Sequence, residues 1–256
     1  MVEHPRVYKT KGVVLKRIDL GEADKILTIY TSGFGKLRAV AKGVRRPGSR
    51  LGGHVDEFAY AEMLLAKGRE LDVVTQSQTL EPFRRMREDL WRASYGYYVA
   101  ELVDAFTEER SESPPLFDLL VSTLRLLSEA DDLFTVLRFF ELHLMELVGY
   151  RPELRICIAC RREIQPEANF FSPVLGGVLC PSCGQVEVTA APVSLNCLKV
   201  LRYLQRLDRP PAGGLQLDGA TRRAVEFTMR GYLEHLLERA VKSTAFLERL
   251  RLEETA

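Results

Sequence analysis

Two C-x-x-C pairs, Cys157/Cys160 and Cys180/Cys183, are separated by the nineteen residues 161–179. No other feature constrains the chain as strongly. Each pair forms a tight knuckle whose two sulfurs converge on one ion, and two knuckles complete a tetrahedron of the kind zinc prefers. The separation falls in the range of zinc-ribbon-like sites. Gly184 after the second pair, and Gly176 and Gly177 before it, permit the sharp turns involved. Two coincidental pairs of buried thiols, or a redox dithiol, compete with this reading, and the doubling and spacing favour zinc. Four thiolates close the coordination sphere, so the expected metal, one Zn2+, is structural and leaves no position for substrate. The fifth cysteine, Cys197, lies on the apolar stripe of a predicted helix and reads as a buried small hydrophobe. With 256 residues available for a core, such a pattern suits reduced, metal-bound thiolates better than disulfide staples.

The N-terminal third reads as strands. Lys11–Ile18, Lys25–Thr31, Lys36–Lys42, Phe58–Lys67 and Glu70–Leu80 are short runs rich in Val, Ile and Leu, with turn chemistry at Ser32, Gly33 and Gly35. Five short strands without a long intervening helix predict a small closed barrel. The connection Gly43–Gly53 is glycine-rich and basic, too polar to be core.

From Pro82 the period changes to that of a helix. Trp91, Tyr95, Tyr98, Val99, Leu102 and Phe106 define one face. Ser113-Pro114 opens a second helix that continues through Leu116, Leu120, Leu124 and Leu127. A third carries Leu133, Leu137, Phe140, Leu144 and Leu147 and stops at Gly149, with Asp131 or Asp132 as its cap. After the cysteine segment, helical spacing returns at Leu195, Leu198, Leu201 and Leu204, and again from Val225 to Ala240. The expected organisation is multidomain: a barrel over 1–80, an α-helical domain over 81–150 and 190–256, and a zinc-binding insertion over 151–189.

A formal net charge of +1 hides an uneven distribution. Residues 1–50 hold twelve Lys/Arg against four Asp/Glu, whereas Glu101–Asp132 holds nine acids against Arg110 and Arg125. Within the basic head, Lys36, Arg38, Lys42, Arg45, Arg46 and Arg50 occupy fifteen residues without an acid. On a barrel strand and its following loop, these side chains suit a phosphate backbone better than a merely solvated surface. Tyr8, Tyr30, Phe34 and Tyr60 could stack on bases, although core packing is the better reading for each singly.

Several functions lack their signatures. No phosphate-binding loop and no G-x-G-x-x-G fingerprint occurs. His143/Glu146 and His235/Glu238 are not H-E-x-x-H, and the acid pairs Glu108-Glu109 and Asp131-Asp132 fall at helix ends. No nucleophile–base constellation emerges, so the chain is not expected to be an enzyme. Met1–Lys11 lacks the apolar run of a secretory signal, and no stretch of about eighteen apolar residues suggests a membrane span. The expected location is the cytoplasm, at the nucleoid.

The chain resembles the RecO family of bacterial recombination mediators along essentially its whole length. The resemblance rests on Gly21-Glu22-Ala23-Asp24-Lys25, Thr31–Gly35 and the basic segment Lys42–Ser49. It continues through Arg138–Leu142 and Leu147-Val148-Gly149-Tyr150-Arg151-Pro152, just before the first cysteine pair. It implies an oligonucleotide-binding (OB) barrel, an α-helical domain and, as in many members, an inserted zinc site. It further implies binding of single- and double-stranded DNA, strand annealing, and cooperation with RecR in loading RecA onto strands covered by single-stranded DNA-binding protein. In the family, the acidic tail of that covering protein docks on the helical domain. Arg202, Arg206, Arg222 and Arg223 flank the apolar stripes there and are the candidate rim. A zinc-ribbon transcription or RNA-binding factor, and a DNA-processing enzyme with a cryptic site, stay open as rivals.

Overall fold

The computed structural model describes residues 6–254; Met1–Pro5 and Thr255–Ala256, at the ends of the expected barrel and helical domains, lie outside the described residues. The described residues form two compact units, one within 1–129 and 246–256 and the other over 130–245.

Five strands close on themselves at the start of the first unit: β1 (Val7–Leu20), β2 (Asp24–Thr31), β3 (Gly35–Ala41), β4 (Tyr60–Ala66) and β5 (Asp72–Glu81). Their order is β1-β2-β3-β5-β4, with β4 pairing back onto β1. All neighbours are antiparallel except β3 and β5, which meet in parallel at Ala39–Asp72 and Val40–Val73.

β1 makes closure feasible because it is not short. Its first half pairs with β4 and its second half with β2, and a register shift between Val14 and Lys16 marks the bend between them. Gly12 pairs with both Thr31 and Ala61, where the two ladders overlap. A Cβ there would come within 2.7 Å of the Ile29 side chain, so glycine permits the crossing.

Strand alternation sorts the side chains. Leu27, Ile29, Leu37, Ala39, Ala41, Ala61, Met63, Leu65 and Val74 fill the interior. The Gly43–Gly53 connection departs from the sequence reading, since Val44 and Leu51, partly buried, pack against this core, and Val55 just after it is buried in the core. Hydrophobic burial thus anchors a loop that looks wholly polar.

Helices α1 (Arg84–Glu88), α2 (Leu90–Phe106) and α3 (Pro114–Glu129) follow the barrel in the first unit. The Asp89 side chain caps α2 by accepting from the Arg92 N–H, and Pro114 opens α3. Beside them, Asp72 is almost fully buried and accepts hydrogen bonds from the Tyr8 hydroxyl, the Gly68 N–H and Arg110, the last at 2.7 Å. Burial alone raises a carboxyl pKa, but these donors outweigh it and hold Asp72 below the usual carboxylate range. The stabilisation is therefore present above the unfolded carboxylate value near pH 4 and is lost as acid carries the pH down through the folded value. Asp72→Asn should cost about 1–2 kcal/mol at neutral pH, a figure discounted because Arg110 is half-exposed. It should also remove part of the acid sensitivity. Trp91, the single tryptophan, lies on α2 and reports this unit's urea unfolding by fluorescence. Identical midpoints for both proteins between pH 7 and pH 3 would refute the assignment.

The second unit is built on α4 (Leu133–Leu147), capped by Asp132, whose side chain accepts from the Thr135 N–H at 3.4 Å. Val136, Leu137, Phe140, Leu142, Leu144 and Met145 are buried, as is an Arg138–Glu141 ion pair at 2.6 Å. Gly149, in the left-handed region at φ +85°, ends the helix as expected. There follow β6 (Asn169–Ser172), β7 (Gly177–Leu179), the short α5 (Pro181–Gly184) and β8 (Ala191–Val193), with the strands ordered β7-β6-β8 in a small sheet. Two longer helices come next, α6 (Leu195–Arg206) and α7 (Gly219–Leu237); α8 (Lys242–Glu254), which belongs to the first unit from Phe246 on, closes the described chain. The small sheet and α8 are absent from the sequence reading, and α7 begins earlier than its apolar stripe suggests. No helix among the described residues is long and apolar enough to cross a membrane.

Candidate functional site

The cysteine centre lies in the second unit. Backbone bonds form the first knuckle: Arg161 N–H donates to the Cys157 carbonyl at 2.8 Å, and Cys157 N–H to the Arg162 carbonyl at 2.7 Å. Arg161 itself takes a left-handed φ of +64°. The second knuckle is the first turn of α5, where Cys183 and Gly184 N–H groups donate to the Cys180 carbonyl. The Phe170 ring packs so closely on Gly184 that a Cβ would sit 2.3 Å from it, which is why glycine follows the second pair. The two knuckles are tied through β7, since Ile158 N–H donates to the Val178 carbonyl at 3.0 Å.

These turns bring the four Sγ atoms within 4.8 Å of one another. A tetrahedron of Zn–S bonds near 2.3 Å has edges of about 3.8 Å. Cys160 and Cys180 are already 3.8 Å apart, so the donor set fits such an ion in number, chemistry and spacing. Thiolates are favoured at the first pair. The Arg162 guanidinium, 3.4 Å from Cys160 Sγ, leads the influences that bring that thiol down to about 6. Burial acts to raise Cys157, but the N–H groups of Cys160, Cys180 and Ala159 outweigh it and lower it. Cys183, hydrogen-bonded to Cys180, is pushed up to about 12. Cys197 is not part of the centre. It is fully buried on α6, 3.7 Å from Thr228 Oγ1, and burial pushes its thiol up to about 11.

The basic segment lies on the first unit, and the structure divides it. Leu37, Ala39 and Ala41 point inward on β3, leaving Lys36, Arg38 and Val40 on the outer face. Arg38, Lys42, Arg45, Arg46 and Arg50 are exposed. Lys36 is not: its ammonium lies 3.1 Å from the Asp104 carboxylate and donates to the Asp104 carbonyl at 2.5 Å, with 12% side-chain exposure. Five of the six cations therefore face solvent, while the sixth is held by α2. Arg45 pairs loosely with Asp19 at 3.2 Å, both half-exposed. Backbone bonds fix the base of the loop, with Gly43 N–H donating to Asp24 Oδ1 at 2.7 Å and Arg45 N–H to the Ala23 carbonyl at 3.0 Å.

The aromatic residues follow the packing reading. Tyr8 and Tyr30 are buried; Phe34 packs against Tyr8 and Tyr60 against Phe117. None of the four is fully exposed; Phe34 and Tyr60 are half-buried.

The four candidate rim arginines do not converge. Arg202 and Arg206 open onto a cleft of about 790 Å3 beside the first knuckle, which they share with Arg155, Arg161 and Lys199. Arg222 lies elsewhere, 3.3 Å from Asp132 Oδ1 and 4.9 Å above the Phe134 ring. Arg223 is exposed on α7. Sequence reasoning missed Arg155, Arg161 and Lys199 because they come from two distant segments, neither of which is a basic run.

The histidine motifs are structural. His143 stacks on Phe139 and lies 3.3 Å from the Leu204 carbonyl, and the His235 carbonyl accepts the C-terminal capping bond of α7. Among the described residues, the four cysteines are the only group of three or more His, Cys, Asp or Glu close enough to share a metal.

Comparison with known proteins adds an independent line. Residues 5–83 match the model of the recombination protein O N-terminal region, and residues 87–245 that of the C-terminal region. A DNA repair protein RecO from Roseiflexus sp. (strain RS-1) is 45% identical over 246 residues, covering 96% of this chain and 87% of that protein. The protein of the same name from Pelotomaculum thermopropionicum is 41% identical, covering 95% of this chain and 94% of its own. That from Dehalococcoides mccartyi (strain 195) is 37% identical, covering 96% and 97%. With both family models matched in order and these relatives aligned almost end to end, the chain belongs to the RecO family.

Proposed function

We propose that this protein acts in DNA repair and recombination as a non-enzymatic mediator, holding single strands on the outer face of β3 and the loop after it. The observation that carries the reading is the row of exposed cations, Arg38, Lys42, Arg45, Arg46 and Arg50, on a closed barrel in a RecO-family chain. The strand order and the β1 bend fit the OB type of barrel, in which loops and one sheet face take oligonucleotides. Phosphate neutralisation would supply most of the affinity and would read no sequence. Double strands would be bound by the same charges, and annealing would follow from capturing complementary strands. RecR and the covering single-stranded DNA-binding protein are the proposed protein partners, with RecA loading as the outcome. We assign the covering protein's acidic tail to the second unit; Arg223 stands exposed on α7, outside both the cleft and the Asp132 pair.

Zinc, when bound, would supply a cross-link between Cys157, Cys160, Cys180 and Cys183. The chain's own residues would do the remaining work by binding and positioning strands.

The test is a titration of the full chain into a fluorescent single-stranded oligonucleotide across salt concentrations, with and without RecR. Binding should be indifferent to sequence and fall steeply with salt, by about 0.7 in the log–log slope for each phosphate contacted. Divalent cations should produce no cleavage. Salt-independent binding, preference for structured RNA, or metal-dependent cleavage would each displace this function.

A further inference from the structure

Charge is concentrated a second time, in the other compact unit. The cleft beside the first knuckle has one wall from Arg155, Ile156, Arg161, Glu163 and Ile164, and the other from α6. Five cations line it against one acid. On α6, Lys199, Arg202, Tyr203 and Arg206 follow the i, i+3, i+4, i+7 pattern of a single helix face. From Lys199 to Arg206 this row extends about 10 Å, with a cation at each turn. Repeated charge of that kind suits a polyanion better than a single small anion.

The cleft is built rather than incidental. Arg202 Nε donates to the Leu154 carbonyl at 2.7 Å and Gln205 Nε2 to the Pro152 carbonyl at 2.9 Å, which fastens α6 to the segment leading into the knuckle. This leaves Arg202 Nη2 shielded from solvent with no acceptor. A buried, unmatched guanidinium N–H among like charges is costly, which marks this wall of the cleft as short of negative charge. Tyr203, 38% exposed within the same row, offers a ring at the height of the charges.

We propose that this cleft is a second nucleic-acid site, taking the phosphodiester backbone of a single strand independently of the barrel surface, with a base against Tyr203. The inference rests on the reading of the protein as a strand-binding mediator and says where a second strand goes. An annealing protein gains from holding two strands at once, and each compact unit carries its own cationic surface. Stacking on an aromatic ring beside phosphate-binding cations is sequence-tolerant, as annealing of arbitrary strands requires.

The test uses the full chain and an oligothymidylate carrying 5-iodouracil, irradiated and mapped by peptide mass spectrometry. Wild type should give an adduct at Tyr203. The adduct should persist in the Arg45→Glu/Arg46→Glu variant and disappear in Lys199→Glu/Arg206→Glu, both of whose targets are exposed. The milder Lys199→Gln/Arg206→Gln pair guards against misfolding; it should weaken the adduct and flatten the log–log salt slope by about 0.7 per lost contact. No adduct within residues 195–206, or an adduct that vanishes with the barrel variant, would overturn the independent site. So would a labelled acidic peptide whose binding falls on the α6 reversals while strand binding and its salt slope stay unchanged. Failure of wild type to bind any strand would instead overturn the mediator reading itself.

Discussion

Full-length protein carrying Cys180→Ser is expected to lose its equivalent of zinc and, with it, the order of residues 151–193. Wild type purified without added metal should contain about one zinc per chain by elemental analysis. The effect should be large because the regular structure around the knuckles is small, although α6 holds the segment at Pro152 and Leu154. Its strands are three or four residues long, and its turns depend on the sulfurs converging within 4.8 Å. Zinc bound by a closed thiolate set contributes on the order of 10 kcal/mol in small modules, far above what such a sheet supplies alone. Amide hydrogen exchange should show lost protection at Phe171, Val178 and Ile158, while the barrel strands β1–β5, in the other compact unit, keep theirs. Chelation of the wild type should reproduce the pattern. Wild type that holds no zinc and links these cysteines as disulfides would end the assignment.

Reversal of Arg45 and Arg46 to Glu is expected to weaken single-strand binding roughly tenfold or more at moderate salt and to flatten the log–log slope by about 1.4, two contacts at about 0.7 each. Unrelated sequences should lose affinity equally, because phosphate contacts carry no base information. Folding should be little affected. Both side chains are exposed, and the one ion pair broken, Arg45–Asp19, is of the solvent-screened kind that contributes at most about 1 kcal/mol. The backbone bond from Arg45 to Ala23 does not depend on the side chain. Fluorescence anisotropy across salt, paired with Trp91 unfolding curves, separates the two effects. Unchanged affinity and slope would move the strand away from this loop.

What could be read from sequence was whatever repeats locally. Short apolar runs bounded by turn residues located the five barrel strands to within a few residues, and the cysteine spacing identified the four sulfurs that the fold brings together. Elements dependent on distant partners could not be read. β6, β7 and β8 are too short to show a period, and they exist as strands by pairing with one another. The start of α7 is fixed by Asp218, which accepts from the Thr221 N–H, ahead of any apolar stripe. Lys36 looked identical to its basic neighbours because its partner Asp104 lies 68 residues away. The cationic cleft was invisible for the same reason, its two walls standing on either side of the second cysteine pair.

The anchored loop after β3 bears on the thermodynamics of capture. A glycine-rich basic segment hanging free would surrender backbone freedom on meeting a strand, at about 1–2 kcal/mol for each residue ordered. Here Gly43 and Arg45 are fastened to Asp24 and Ala23, and Val44, Leu51 and Val55 are seated against the barrel. Most of that ordering is completed during folding, so only the arginine and lysine side chains remain to be immobilised, at roughly 0.5–1.5 kcal/mol each. Variants that release the anchor, such as Asp24→Ala, should therefore bind strands with a larger entropic penalty while every cation stays in place. Calorimetry would register that loss in the entropy of binding, with the salt slope unchanged.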